Sequence, residues 1–153
     1  MNEIKNYYFA YGGNTNNYHM SNSYSNSKIY SIGLLNDYKL VFRKSLDSLN
    51  LENVYCDIDY EKYKSVFGVI YELSLDDINK LDKQEYNGIL YNRILVDIHL
   101  SNNQIIKCFT YIMINKDMLY SKPSDRYYKI VIDGYRYHKL PLSQIYNAIN
   151  EID

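Results

Sequence analysis

The run SVFGVIYEL, residues 65–73, is apolar at odd and even positions alike. Side chains alternate between the two faces of a strand, so a stretch without a polar face has to be covered on both sides. This predicts a strand in the middle of a sheet, and the rest of the chain has to supply its cover.

Other segments read as its neighbours. Residues 6–11 predict a first strand, rich in Tyr and Phe. Lys28 to Leu35 and Tyr38 to Phe42 predict two more, separated by a turn at Asn36-Asp37. In YNRILVDIHL (91–100), Ile94, Val96, Ile98 and Leu100 alternate with Arg93, Leu95, Asp97 and His99. SNN then leads into IIKCFTYIMI (105–114), which predicts an antiparallel hairpin. Helix starts are signalled at Ser74, with Asp77 three residues on, at Pro123-Ser124, and at Ser143 before QIYNAINEI. NSYSNS (22–27) reads as a mobile loop. Strands early and in the middle, with helices inserted and at the end, predict an α+β fold, expected as one domain over residues 1–153.

Charge excludes some functions. Seventeen basic residues face eighteen acidic ones, a net of -1, so no global field draws in nucleic acid or an anionic membrane. The 20 tyrosines do not read as a platform for bases, because no basic groove accompanies them. The sequence carries no secretory signal pattern and no bilayer-length apolar run, which predicts a cytoplasmic protein. Cys56 and Cys108 read as partly buried thiols, and His19, His99 and His138 share no ligand spacing. His138, beside Lys139, reads as a cation suited to a helix end.

Two features break the pattern of a plain core. In SLDDINKLDKQEYNG (74–88), Ser74 caps, Asn87-Gly88 supplies a stop, and Leu75, Ile78 and Leu81 make an apolar stripe. Glu85 follows Leu81 by four and Ile78 by seven, so a carboxyl takes a place that asks for an apolar group. Partial burial and the negative end of the helix would both raise its pKa, as proton transfer near neutrality needs. The pattern equally permits Glu85 to face solvent or to pair with Lys80 or Lys83. The second feature is Gly12-Gly13, directly after the first strand and followed by Asn14 and Thr15. Glycines there allow positive φ and a close approach of main-chain amides to an anion; an ordinary tight turn fits the same residues.

Together the landmarks resemble the γ-glutamylcyclotransferase superfamily, which includes AIG2-like and BtrG-like proteins. YFAYGGN (8–14) is similar to its YGSN loop, and GLLNDYKLVF (33–42) to its second block. FGVIYEL followed by LDKQE (67–85), YNR (91–93), and PSDRYYKIVIDGYRYHKLP (123–141) complete the series in the family's order. The resemblance implies a small, mixed, barrel-like sheet with flanking helices, and an enzyme without metal or organic cofactor. It implies that a γ-glutamyl compound is cyclised to 5-oxoproline with release of an amine or amino acid, an acyltransferase or lyase reaction. Carried over by position, the acid/base glutamate falls on Glu85 and the α-carboxylate loop on Tyr11, Gly12, Gly13 and Asn14. Tyr91 and Tyr127 match tyrosines at the family's cavity.

The chain departs from the family at two of these places. Gly13 stands where the family usually has Ser, though Thr15 offers a hydroxyl nearby, and Tyr86 stands where the family often has Gly. A binding protein of the same fold with weakened catalysis is therefore the alternative reading. In either case the expected partner is a small γ-glutamyl molecule; the oligomeric state is not legible.

Overall fold

The structure, a computed structural model, describes residues 6–46 and 52–152. Five strands close a barrel in the order β1-β3-β2-β4-β5: β1 Tyr7–Ala10, β2 Lys28–Leu46, β3 Glu52–Glu72, β4 Tyr91–His99 and β5 Ile105–Met113. The neighbours run antiparallel except where β1 closes on β5, at Tyr8 opposite Phe109. This is the α+β fold that the sequence pattern predicts, with the mixed, barrel-like sheet that the resemblance implies. Residues 65–72 are the central strand expected of them, because β3 pairs with β1 on one side and β2 on the other, and Val69, Ile70 and Tyr71 are buried in succession.

Among the described residues four helices flank the barrel: α1 Asn17–Ser23, α2 Leu75–Gln84, α3 Asp125–His138 and α4 Ser143–Asn150. Ser74 and Ser124 cap α2 and α3 as predicted, accepting hydrogen bonds from the amides of Asp77 and Tyr127. None of the helices among the described residues is long and apolar enough to cross a membrane.

Several sequence expectations are corrected. Asn36-Asp37 is not a turn between two strands. It is an irregularity inside β2, where Asp37 takes φ 66° and the register shifts against β3. Ser143 makes no capping bond; the N-cap of α4 is Leu142. NSYSNS is not loop throughout. Its first two residues finish α1, whose start is capped by Asn16, and Tyr24 is buried with its hydroxyl donating to Gln84. His138 is no surface cation, since burial lowers its pKa and it packs beside Tyr71 and Tyr137. Both cysteines are buried rather than partly so.

Candidate active site

A cavity of about 300 Å³ opens at the end of the barrel where β1 runs out. A broader hollow of about 710 Å³ lies between α1 and the outer face of α3, but its lining is mostly surface residues and holds none of the sequence-predicted site residues. The smaller cavity is where the sequence-predicted residues meet. Tyr11, Gly12, Gly13, Asn14, Glu85, Tyr91 and Tyr127 all line it.

The glycine loop is held from behind by α3. Residues 13–15 form one 3₁₀ turn, closed by bonds from the Thr15 amide to Gly12 and from the Asn16 amide to Gly13. The first amides of such a turn have no partner within it. Tyr135 donates from its hydroxyl to the Tyr11 carbonyl at 2.6 Å, and Thr15 from its own to the Gly12 carbonyl at 2.7 Å. Thr15 is fully buried and its hydroxyl is committed to this bond, so it does not replace the serine missing at Gly13. Neither Gly12 nor Gly13 takes a positive φ, contrary to the sequence expectation. They are needed for closeness: a Cβ on Gly12 would lie 2.6 Å from that of Cys56, and one on Gly13 3.2 Å from the Tyr127 ring.

Opposite the loop, the end of α2 presents Glu85. The helix closes with Tyr86 donating to Lys83 and Asn87 to Asp82, the paired bonds of a Schellman motif with Glu85 as C-cap. Tyr86 occupies the left-handed position, φ 48°, where glycine is the usual residue. The helix therefore stops at Tyr86 and not at Asn87-Gly88. A backbone requirement thus falls on the very position where the resemblance expects Gly.

Glu85 pairs with none of the lysines considered for it. Its carboxylate accepts a hydrogen bond from Asn14 Nδ2 at 3.2 Å, and the same nitrogen donates to the Tyr8 hydroxyl at 3.1 Å. Arg93 turns away to Asp82 at 3.0 Å and lies over the Phe109 ring. Glu85 is enclosed by protein yet half-buried by exposure, because the surface left to it opens into the cavity. Desolvation pushes its pKa up to about 7, while the Asn14 hydrogen bond opposes the shift.

The tyrosines form the remaining wall. The Cys56 amide donates to the Tyr127 hydroxyl at 3.0 Å, and Tyr91 donates to the Cys56 carbonyl at 3.2 Å, so one residue of β3 fixes two rings. Burial pushes the Cys56 thiol up to about 12, which leaves it protonated and unreactive. Behind it, Asp57 is fully buried and accepts from Arg43 at 2.6 Å, Lys116 at 2.7 Å and the Met113 amide at 2.9 Å.

Over residues 65–147, more than half its length, the chain matches the model of the AIG2-like family. It belongs to that family. A γ-glutamylcyclotransferase of Homo sapiens is 30% identical over 140 residues, covering 88% of this chain and 72% of that protein. The Bos taurus γ-glutamylcyclotransferase is 29% identical over 151 residues, covering 95% and 78%. A solved structure named γ-glutamyl cyclotransferase superposes with a TM-score of 0.83 at 25% identity, covering 98% of this chain and 89% of that one. The AIG2-like chain is thus a γ-glutamylcyclotransferase-like enzyme.

Sequence reading of this AIG2-like chain missed Tyr8, Tyr55, Cys56, Leu90 and Tyr111 as cavity residues. Tyr8 carried a usable signal, since it sits in the loop-bearing motif itself. Tyr55, Cys56 and Tyr111 come from strand positions and Leu90 from the turn before β4, and nothing local distinguishes them from core. Among the described residues no cluster of His, Cys, Asp or Glu could hold a metal ion.

Proposed function

We propose that the protein converts a γ-glutamyl compound to 5-oxoproline and a free amine, with Glu85 transferring the proton. Substrate binding is assigned to Tyr11, Gly12, Gly13, Asn14, Tyr91 and Tyr127. The observation that carries this reading is the Glu85 carboxyl, raised to about 7 inside a cavity whose opposite wall is the Gly12–Asn14 loop.

The chemistry follows from the residues. The first amides of the 3₁₀ turn offer donors to the α-carboxylate, while the negative Glu85 attracts the α-nitrogen. Having given its ammonium proton to water, that nitrogen attacks the γ-carbon as a neutral amine and sheds one further proton to the Glu85 carboxylate, while the carbonyl electron pair moves onto oxygen. Collapse of the adduct breaks the bond to the leaving nitrogen, which takes the proton from Glu85. A carboxyl with a pKa near 7 exchanges protons in both directions at small cost. Ring closure is already intramolecular, so the protein has mainly to hold the glutamyl chain folded and to stabilise the oxyanion.

The test is to incubate the protein with γ-glutamyl amino acids, γ-glutamyl-ε-lysine and glutathione and to assay 5-oxoproline. Turnover of at least one, lost by about 10²–10⁴-fold in Glu85→Gln, is expected. Equal rates in the variant would overturn the mechanism, and calorimetric binding without turnover would identify a binding protein of this fold.

A further inference from the structure

Several cavity tyrosines have already committed their hydroxyls within the protein. Tyr11 donates to the Tyr111 carbonyl at 2.5 Å, Tyr91 to the Cys56 carbonyl, and Tyr111 to Asp82 at 2.5 Å. The Tyr127 hydroxyl is engaged by both the amide and the thiol of Cys56. Tyr8 differs. Its hydroxyl oxygen accepts from Asn14 at 3.1 Å, and among the described residues no acceptor takes its proton. A phenol oxygen carries one donor, so the O–H of Tyr8 remains to be used while its oxygen is already anchored.

The ring has no freedom to wander. Tyr8 is 5% exposed and packs against Phe109 at 5.4 Å, Tyr111 at 5.8 Å and Tyr71 at 6.4 Å between centroids. Its hydroxyl stays protonated, because burial, followed by the nearby Glu85 charge, raises its pKa well above the usual phenol value. The result is a fixed, neutral donor on the cavity wall, beside the carboxyl that moves the proton.

Asn14 also sets the spacing. Its Nδ2 bonds Tyr8 at 3.1 Å and Glu85 at 3.2 Å through its two hydrogens, which holds the two oxygens on either side of one nitrogen with a gap between them. A tetrahedral carbon fits that gap with a nitrogen toward Glu85 and its oxygen toward Tyr8. We infer that Tyr8 donates its hydrogen bond to the γ-carbonyl oxygen of the substrate as that oxygen becomes an oxyanion, making it a second catalytic residue. This rests on the cyclisation proposed above. Tyr8 forms and breaks no bond; it lowers the energy of the adduct in which the carbonyl pair resides on oxygen.

The experiment uses whichever γ-glutamyl substrate the wild type turns over. Tyr8→Phe removes the donor and leaves the ring. A fall in kcat of about 10²-fold with KM within threefold is expected, as for loss of one oxyanion donor. A kcat within threefold of wild type, or a loss confined to KM, overturns the inference. Fluorotyrosines of increasing acidity placed at position 8 keep shape and packing, and they carry the test should Tyr8→Phe fail to fold. A kcat that tracks the acidity of the hydroxyl supports a donor; a kcat indifferent to it rules one out. Absence of 5-oxoproline with wild type would instead defeat the cyclisation reading itself, so the two failures are distinct.

Discussion

Gly134 and Thr15 touch so closely that a Cβ added to the glycine would lie 2.2 Å from the Thr15 hydroxyl oxygen. Glycine inside a helix costs up to ~1 kcal/mol relative to alanine, and here it lets α3 press against the turn that carries Asn14. Gly134→Ala is therefore expected to destabilise the protein by about 1–3 kcal/mol through overpacking, despite the better helix former. Displacing the turn would raise KM more than it lowers kcat. Denaturant unfolding with steady-state kinetics checks both; an alanine variant more stable than wild type would show that α3 is free to shift.

Tyr86 holds a left-handed conformation, which favours glycine by about 1–2 kcal/mol over residues with a Cβ, and its ring lines the cavity mouth. Tyr86→Gly is accordingly expected to leave stability unchanged or raised by ~1 kcal/mol. It also removes an aromatic wall, so turnover of substrates with bulky leaving amines should rise relative to small ones. Relative kcat/KM across a leaving-group series measures this, and an unchanged ranking would separate the ring from selectivity.

The parts of this fold that were legible in the sequence are those where one local rule dominates. The unbroken apolar run gave a doubly covered strand, and serine caps gave two helix starts. The first half of β3 was hidden because Asp57 and Asp59 are poor strand residues by propensity. Their reason is tertiary: Arg43 bridges both at 2.6 Å, and it lies on β2 across the hairpin. Glu85 was legible because a carboxyl on an apolar stripe violates a periodic pattern. Tyr8 was legible only through its place in the loop-bearing motif, because an aromatic residue on a strand violates nothing, and its use depends on where Asn14 sends two hydrogens. The end of α2 was misplaced for a similar reason, since Tyr86 accepts a backbone geometry that the Asn87-Gly88 pair advertises more strongly.

The Arg43 cluster yields its own test. Asp57 is fully buried and Arg43 only 3% exposed, so truncating the cation leaves a desolvated carboxylate short of partners. Arg43→Met is expected to cost ~3–5 kcal/mol. Asp57 follows Cys56, whose backbone orients Tyr91 and Tyr127, so activity should fall even under conditions where the variant stays folded. Thermal unfolding and residual kcat/KM check the two effects; a variant of wild-type stability would mean that Lys116 alone suffices for Asp57.

The carboxyl proposed to do the chemistry should also burden the fold. Glu85 has its pKa raised by burial from an ordinary 4.5 to about 7, so between those values the folded state binds more protons than the unfolded one. Stability from this group is fully present below pH 4.5 and is lost as pH rises through about 7. The shift corresponds to ~3 kcal/mol at most, less what its contact with cavity water screens. Glu85→Gln, neutral at every pH, should then be more stable than wild type at pH 8 and nearly equal to it at pH 4.5. Activity runs in the opposite sense: the proton acceptor is the ionised form, so kcat/KM of wild type should fall as pH drops below about 7. Denaturant titrations of both proteins across this range, alongside a pH–rate profile, test the pair of trends. A stability difference that does not change with pH would mean that Glu85 is ordinarily solvated and unfit for the proton transfer assigned to it.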